Sequence, residues 1–234
     1  MSKRLLLISN STQHGSGYLD HCAAEIQDFL GSAVRRLAFV PYAMFAQDEY
    51  AARVRERFDA LGYEVESVHT AADPVAAVRA ADAVFIGGGN TFRLLDGLYR
   101  TGLLAAIRDR AEVGMPYVGS SAGSNVACLS IKTTNDMPIV EPESFAGMGL
   151  VPFNLNPHYQ DPDPGSTHQG ETREERIRQF HEENTPVVVA LREGSLLRVE
   201  GPRMTLKGAP SARIFVRGEE PREFAPGSSL DFLL

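Results

Sequence analysis

Short apolar runs alternating with longer amphipathic stretches occupy residues 4–191, and no other feature of the chain restricts its fold as tightly. Runs rich in Leu, Val, Ile and Phe begin at Arg4 (RLLLIS), Arg36 (RLAFVP), Tyr63 (YEVESV), Ala83 (AVFIGG), Pro116 (PYVGS), Phe153 (FNLN) and Pro186 (PVVVAL). Between them, residues 21–30, 47–61, 74–81, 91–113, 122–129 and 171–183 are helical candidates. Strand-length apolar runs separated by helical segments predict β-α-β units, whose parallel strands are buried on both faces by the connecting helices. The expected fold is therefore α/β, a mostly parallel sheet flanked by helices. Beyond Gly194 the texture changes, because SLLRVEG, MTLKG, ARIFVRG and REFAPGSSL are brief runs punctuated by Gly and Pro. They predict antiparallel strands or hairpins over 195–234, appended to a single domain spanning 1–234.

A chain of 234 residues fits one hydrophobic core, since single cores stop growing only at roughly 250–300 residues. Its formal net charge of −7, with no long Lys/Arg cluster, argues against a nucleic-acid partner. The opening MSKRLLLISNS is basic and then apolar, but the apolar run is far shorter than a secretory core and no small-residue cleavage site follows. No apolar run reaches the ~20 residues of a membrane span. Only Cys22 and Cys128 occur, so no disulfide framework is expected. These readings lead to the expectation of a cytoplasmic protein, a monomer or small homo-oligomer that meets no membrane.

Parallel α/β sheets bind ligands beyond the carboxyl ends of their strands, so the residues just after each strand carry the functional argument. Gly119–Gly123 reads GSSAG, a G-x-S-x-G pattern centred on Ser121, with a strand before it and a helix after it. Small flanking residues suit a strained turn that exposes a serine hydroxyl. Ser120 and Ser124 lie at the centre of no such pattern. A serine nucleophile needs a base. Of the six histidines, His158 follows the strand FNLN in a segment stiffened by Pro157, Pro162 and Pro164. His21 and His181 fall within helical stretches, His14 lies in a polar loop, and His69 has no carboxylate pattern beside it. His168, in the same loop as His158, is a candidate substrate contact.

A catalytic imidazole is held in one tautomer by a carboxylate on its other nitrogen. Asp136, in TTNDMPIV, and Glu193, at the end of PVVVALRE, both qualify, and spacing does not choose between them. Gly87, Gly88 and Gly89 end another strand, letting backbone amides approach a ligand closely. With no Walker lysine and no G-x-G-x-x-G, this loop reads better as one half of an oxyanion hole, from Gly88 and Gly89, with the Ala122 amide as the other. Asn90 follows as a helix N-cap and candidate substrate contact. In GETREERIRQFHEEN, Arg173 falls on the apolar face marked by Ile177 and Phe180, at the helix end nearest the site. A cation there reads either as a carboxylate grip or as an internal ion pair with Glu171 or another acid.

The motifs FIGGGNTFRLL, GSSAGSNVA, TTNDMPIV, NPHY and GETREERI occur in one order. With them, the chain from about Arg4 to about Gly201 resembles family S51 of serine peptidases, the cytoplasmic aspartyl dipeptidases. The resemblance implies a flavodoxin-like fold similar to class I glutamine amidotransferases, with serine at the elbow where those relatives hold cysteine. It also implies hydrolysis of dipeptides with an N-terminal aspartate (Asp-Xaa), a small peptide substrate, and no metal or cofactor. Carried over residue by residue, the nucleophile falls on Ser121, the base on His158 and the third member on Asp136 or Glu193. Arg173 falls where the substrate's aspartate side chain would be recognised. Two other readings remain open: an α/β-hydrolase esterase using Ser121, Asp136 and His158 in that order, and a non-catalytic module binding an anionic metabolite.

Overall fold

The computed structural model of the chain describes residues 2–163, 165, 167 and 170–234. Strands β1 (Arg4–Ile8), β2 (Arg36–Val40), β3 (Glu64–Ser67), β4 (Ala83–Ile86) and β5 (Tyr117–Ser120) pair in parallel. Helices α1 (Ala23–Leu30), α2 (Gln47–Ala60), α3 (Pro74–Ala80), α4 (Thr91–Arg100) and α5 (Leu103–Glu112) connect them. The chain continues through α6 (Ala122–Val126), β6 (Asn154–Pro157), α7 (Arg173–Glu183) and β7 (Val188–Leu191). It ends with β8 (Ser195–Glu200), β9 (Arg203–Gly208), β10 (Ala212–Phe215) and β11 (Arg222–Phe224). The architecture is α/β, as the alternation predicts, and among the described residues no helix is long and apolar enough to cross a membrane.

The strands divide between two sheets rather than extending one. The main sheet runs β3-β2-β4-β5-β1-β8-β9, and a smaller one runs β11-β10-β7-β6. The free edge of β1 is taken by the antiparallel β8, and β7 pairs instead with β6 in parallel and with β10 antiparallel. Successive side chains of a strand point to opposite faces. Leu5 and Leu7 of β1 accordingly enter one core with Val84, Ile86, Leu155 and Val189, while Leu6 and Ile8 enter another with Phe29, Phe39, Phe58 and Phe85. The small sheet thus packs one face into the larger core. Its far face, through Val188, Ala190 and Phe215, is covered by Ile177 and Phe180 of α7.

The helices differ from expectation in several places: α1 starts at Ala23 rather than His21, after a 3-10 turn at Asp20–Cys22, and α2 and α3 each end one residue early. The 91–113 stretch is two helices, because Gly102 at φ 71° breaks it and Thr101 Oγ1 caps the preceding carbonyl of Gly97 at 2.7 Å. The helix opening at Ala122 ends at Val126 rather than Leu129. Helix α7 starts at Arg173 rather than Glu171, because Thr172 forms a capping box with Glu175.

Candidate active site

The carboxyl ends of β1, β4, β5, β6 and β7 converge, and each contributes to one site. Ser121 occupies the turn from β5 into α6 at φ 51°, ψ −109°, a sparsely populated conformation for a residue with a side chain. Its amide donates to the Ile8 carbonyl at 2.9 Å, tying the turn to the end of β1. The flanking glycines are there for space. A Cβ at Gly119 would lie 2.6 Å from the Gly123 carbonyl oxygen, and one at Gly123 would lie 2.1 Å from the Ile86 carbonyl oxygen. We expect Gly123→Ala to cost about 3 kcal/mol or more, since that contact is backbone on backbone and has no side chain to move aside. The midpoint of urea unfolding measures it. The neighbouring serines are structural: Ser120 is buried, and Ser124 Oγ donates to the carbonyls of Ile8 and Gly119 at 2.8 and 2.9 Å.

His158 follows β6, also at positive φ (54°). Its Nε2 lies 3.0 Å from Ser121 Oγ and its Nδ1 lies 2.7 Å from Glu193 Oε1. The register of the small sheet produces this meeting, because Pro157 pairs with Leu191 and the residues following both strands leave side by side. Two backbone anchors hold the strained residue: its amide donates to Ser9 Oγ at 3.0 Å, and the Tyr159 amide donates to the Leu191 carbonyl at 3.0 Å. Ser9 in turn donates to the Leu191 carbonyl at 2.8 Å. A hydroxyl, an imidazole and a carboxylate so aligned can move the serine proton onto Nε2 while the carboxylate steadies the resulting cation.

Asp136 does not reach the imidazole. Its Oδ2 accepts from the Thr91 amide at 2.7 Å and the Thr91 hydroxyl at 2.6 Å, at the start of α4. Of the two carboxylates open on spacing, the one in contact with His158 is Glu193. The Ser121, Asp136, His158 order on which the esterase reading rests therefore has no structural counterpart. Asn90 caps α4, its Oδ1 accepting from the Arg93 amide at 3.0 Å, and its Nδ2 donates to the Met137 carbonyl at 2.9 Å. Its side chain is thus committed largely to the fold. His168 lies outside the described residues. His69 does have a carboxylate, 2.9 Å away on Asp48 of α2, and Ser67 Oγ lies 2.6 Å from its other nitrogen. Ser67 is only 2% exposed, so this second serine–histidine–aspartate line offers no reachable hydroxyl.

Gly88 packs against the serine, since a Cβ there would lie 3.1 Å from Ser121 Cβ. Gly89 sits at φ 135°, with a virtual Cβ 2.6 Å from the Ala43 carbonyl oxygen, so no other residue fits. Ala122 opens α6, where amides have no intrahelical acceptor. Beneath this loop lies a residue the sequence did not single out. A Cβ at Gly87 would collide with the hydroxyl of the buried Tyr50, which lies 3.2 Å from the hydroxyl of Tyr18.

Arg173, at the first position of α7, is half-buried, and burial, then Arg176, lowers its pKa, while the charge of Asp136 opposes them. Glu171 pairs with Arg176 at 3.6 Å instead, so the internal ion pair with Arg173 does not form. Among the described residues no carboxylate lies within ion-pair distance of Arg173. It lines a cleft of about 600 Å³ together with Asn135, Met137, Gln160, Asp161 and Arg176.

Behind that cleft is an ionic clamp with no motif to announce it. Arg192, next to Glu193, binds Asp161 through Nε and Nη2 at 2.8 and 2.7 Å and Glu223 of β11 through Nη1 and Nη2 at 3.0 and 2.9 Å. It joins the loop after His158 to the last strand, which gives the C-terminal hairpin a place in the site's architecture. The Arg192 guanidinium holds the carboxyls of both Asp161 and Glu223 below their usual range. A carboxyl with a lowered folded-state pKa contributes stability that is present above its unfolded value, about 4, and lost as pH falls through the folded value. The urea midpoint is therefore expected to drop as the pH falls below about 5, and Arg192→Met to remove part of that slope.

Comparison with known proteins identifies the family of the chain. The family model described as peptidase family S51 matches residues 5–207. A Streptomyces coelicolor protein named peptidase E is 59% identical over 230 residues, covering 98% of this chain and 94% of the relative. A Drosophila melanogaster protein named "Probable alpha-aspartyl dipeptidase" is 48% identical, covering 100% of this chain and 98% of the relative. The likeness thus continues past Gly201, where the resemblance read from the motifs ends, through the C-terminal strands. A solved structure of a peptidase from an acI-B1 Actinobacterium shares the fold at a TM-score of 0.72 and 17% identity, covering 98% of this chain and 97% of that one. The chain belongs to peptidase family S51.

Proposed function

We propose that the enzyme is a serine dipeptidase that hydrolyses Asp-Xaa dipeptides through an acyl-enzyme on Ser121. One observation carries the reading: the unbroken line from Glu193 through His158 to Ser121 stands beside a cleft containing an arginine with no carboxylate partner among the described residues. In this scheme Ser121 Oγ attacks the carbonyl of the N-terminal aspartate while His158 Nε2 takes its proton, and Glu193 supports the imidazolium. The amides of Ala122 and of Gly88 or Gly89 stabilise the oxyanion, each worth ~10²- to 10³-fold in rate. His158 then gives its proton to the leaving amine. Water, activated by the same imidazole, releases aspartate and restores the serine.

Arg173 is the selector for the substrate's β-carboxylate, since a planar guanidinium grips a carboxylate with two parallel hydrogen bonds. The setting we assign is cytoplasmic, consistent with Cys22 and Cys128 being free and buried. The test is a panel of Asp-Leu, Asn-Leu and Glu-Leu with wild-type enzyme and with Arg173→Gln. Asp-Leu is expected to lead Asn-Leu by at least about 10²-fold, and Arg173→Gln to erase most of that lead. Equal rates across the panel in the wild type would remove the aspartate reading.

A further inference from the structure

With Glu193 on the imidazole, Asp136 is left without the role the sequence offered it, and its surroundings supply another. Residues 133–135 are laced to β6, the strand that delivers His158. Thr133 Oγ1 donates to the Leu155 carbonyl at 2.6 Å, and Asn156 Nδ2 to the Thr133 carbonyl at 2.8 Å. Asn135 Nδ2 donates to the Pro157 carbonyl at 2.8 Å. Asp136 comes next in the chain. Its Oδ2 is locked by both donors of Thr91, and Thr91 is itself bound by the Thr134 hydroxyl at 3.0 Å. Thr91 lies three residues beyond Gly88, where a Cβ would lie 3.1 Å from Ser121 Cβ. The carboxylate is therefore half-buried and fixed at the start of α4, the helix that follows the Gly87–Gly89 loop. Its Oδ1 accepts no hydrogen bond from any described residue.

The other acids around the site are occupied. Glu193 meets His158, Asp161 meets Arg192, and Glu171 meets Arg176 and Gln179. Asp163 is exposed, with one oxygen on the Gly165 amide. Arg173 feels the charge of Asp136 yet stands outside ion-pair distance of it. The two opposite charges thus lie near each other without forming an ion pair, and the residues on either side of Asp136, Asn135 and Met137, line the cleft with Arg173.

An N-terminal aspartyl residue carries two charges on the carbon next to the scissile carbonyl, an ammonium directly and a carboxylate one methylene away. We propose that Asp136 Oδ1 anchors the free α-ammonium group of the substrate, opposite the β-carboxylate held by Arg173. The assignment rests on the Asp-Xaa reading above. It makes Asp136 the residue that restricts the enzyme to unblocked N-termini. A site built to hydrogen-bond a group rejects an analogue lacking it, because the buried partner is left unpaired.

The experiment compares Asp-Leu with succinyl-Leu, which is Asp-Leu without its amino group, in wild type, Asp136→Asn and Thr91→Val. Wild type is expected to prefer Asp-Leu by about 10³-fold in kcat/KM. Asp136→Asn keeps an oxygen for Thr91 but loses the charge, so kcat/KM on Asp-Leu is expected to fall about 10²- to 10³-fold while succinyl-Leu changes only a few-fold. Thr91→Val loosens the carboxylate's mooring without removing its charge, and the preference persists. Equal losses on both substrates in Asp136→Asn would make Asp136 a mere helix anchor and overturn the proposal. If Asp136→Asn does not fold, Asp136→Glu and Asp136→Ser carry the same comparison, with the preference expected to survive in part in the first and vanish in the second; a preference as strong in Asp136→Ser as in wild type would overturn it. A wild type that ignores Asp-Leu altogether would instead sink the Asp-Xaa reading.

Discussion

Ser121→Ala is expected to lower kcat on Asp-Leu by about 10⁶-fold while leaving KM nearly unchanged. The hydroxyl is the atom that forms the acyl bond, and no neighbour can replace it. Ser120 is buried and Ser124 is spent on two backbone carbonyls. Alanine fits the turn sterically, although Ser121 and any successor must hold φ 51°. A residual 10³- to 10⁴-fold rate over water should survive, because binding and the oxyanion amides do not depend on the hydroxyl. Burst kinetics with an activated aspartyl ester would show the acyl-enzyme in wild type and none in the variant. Retention of even a tenth of wild-type turnover would exclude Ser121 as nucleophile.

Glu193→Gln is the second large effect, about 10³- to 10⁴-fold in kcat. An amide in place of the carboxylate cannot stabilise an imidazolium and can hold the wrong tautomer, and in triads of this kind such a swap costs about 10⁴-fold. The lower part of the range applies here because the Glu193 side chain is 48% exposed and that of His158 39% exposed, so water can support part of the charge. The loss should extend equally to Asp-Leu and succinyl-Leu, since Glu193 acts on the imidazole and not on the substrate's ammonium. That separates it from Asp136→Asn, whose loss is confined to the substrate bearing the amine. Were Glu193→Gln harmless and Asp136→Asn damaging to both substrates, the two carboxylates would have to exchange roles.

Much of the fold was legible in the residues because its signals are local. β1, β2, β4 and β5 are short apolar runs whose two faces are both buried, and α2 and α3 carry the periodicity that covers them. The GSSAG turn is equally local: Gly119 and Gly123 report crowding within a few residues of the serine, plus one strand that such a turn always meets. The break in the 91–113 helix was missed because a glycine inside a helical pattern reads as tolerated. Its left-handed backbone at Gly102 is visible only in the structure. Tyr50, Ser9 and Arg192 escaped notice because nothing near them in the chain hints at the loop, imidazole or carboxylates they support.

What the sequence alone determined was the set of strand ends where chemistry had to lie, with the serine, the histidine, the glycine loop and the inward arginine upon them. Tertiary structure decided how they combine. Pairing of β6 with β7 sets Pro157 opposite Leu191, and this register, 34 residues apart in the chain, puts Glu193 rather than Asp136 on His158. Both acids had the right chemistry and a plausible distance along the sequence. Hydrogen bonds between strands choose partners through space, and the cost of closing a long loop depends only weakly on its length, so linear spacing could not rank them. The acid that lost that contest is the one whose second oxygen accepts from no described residue.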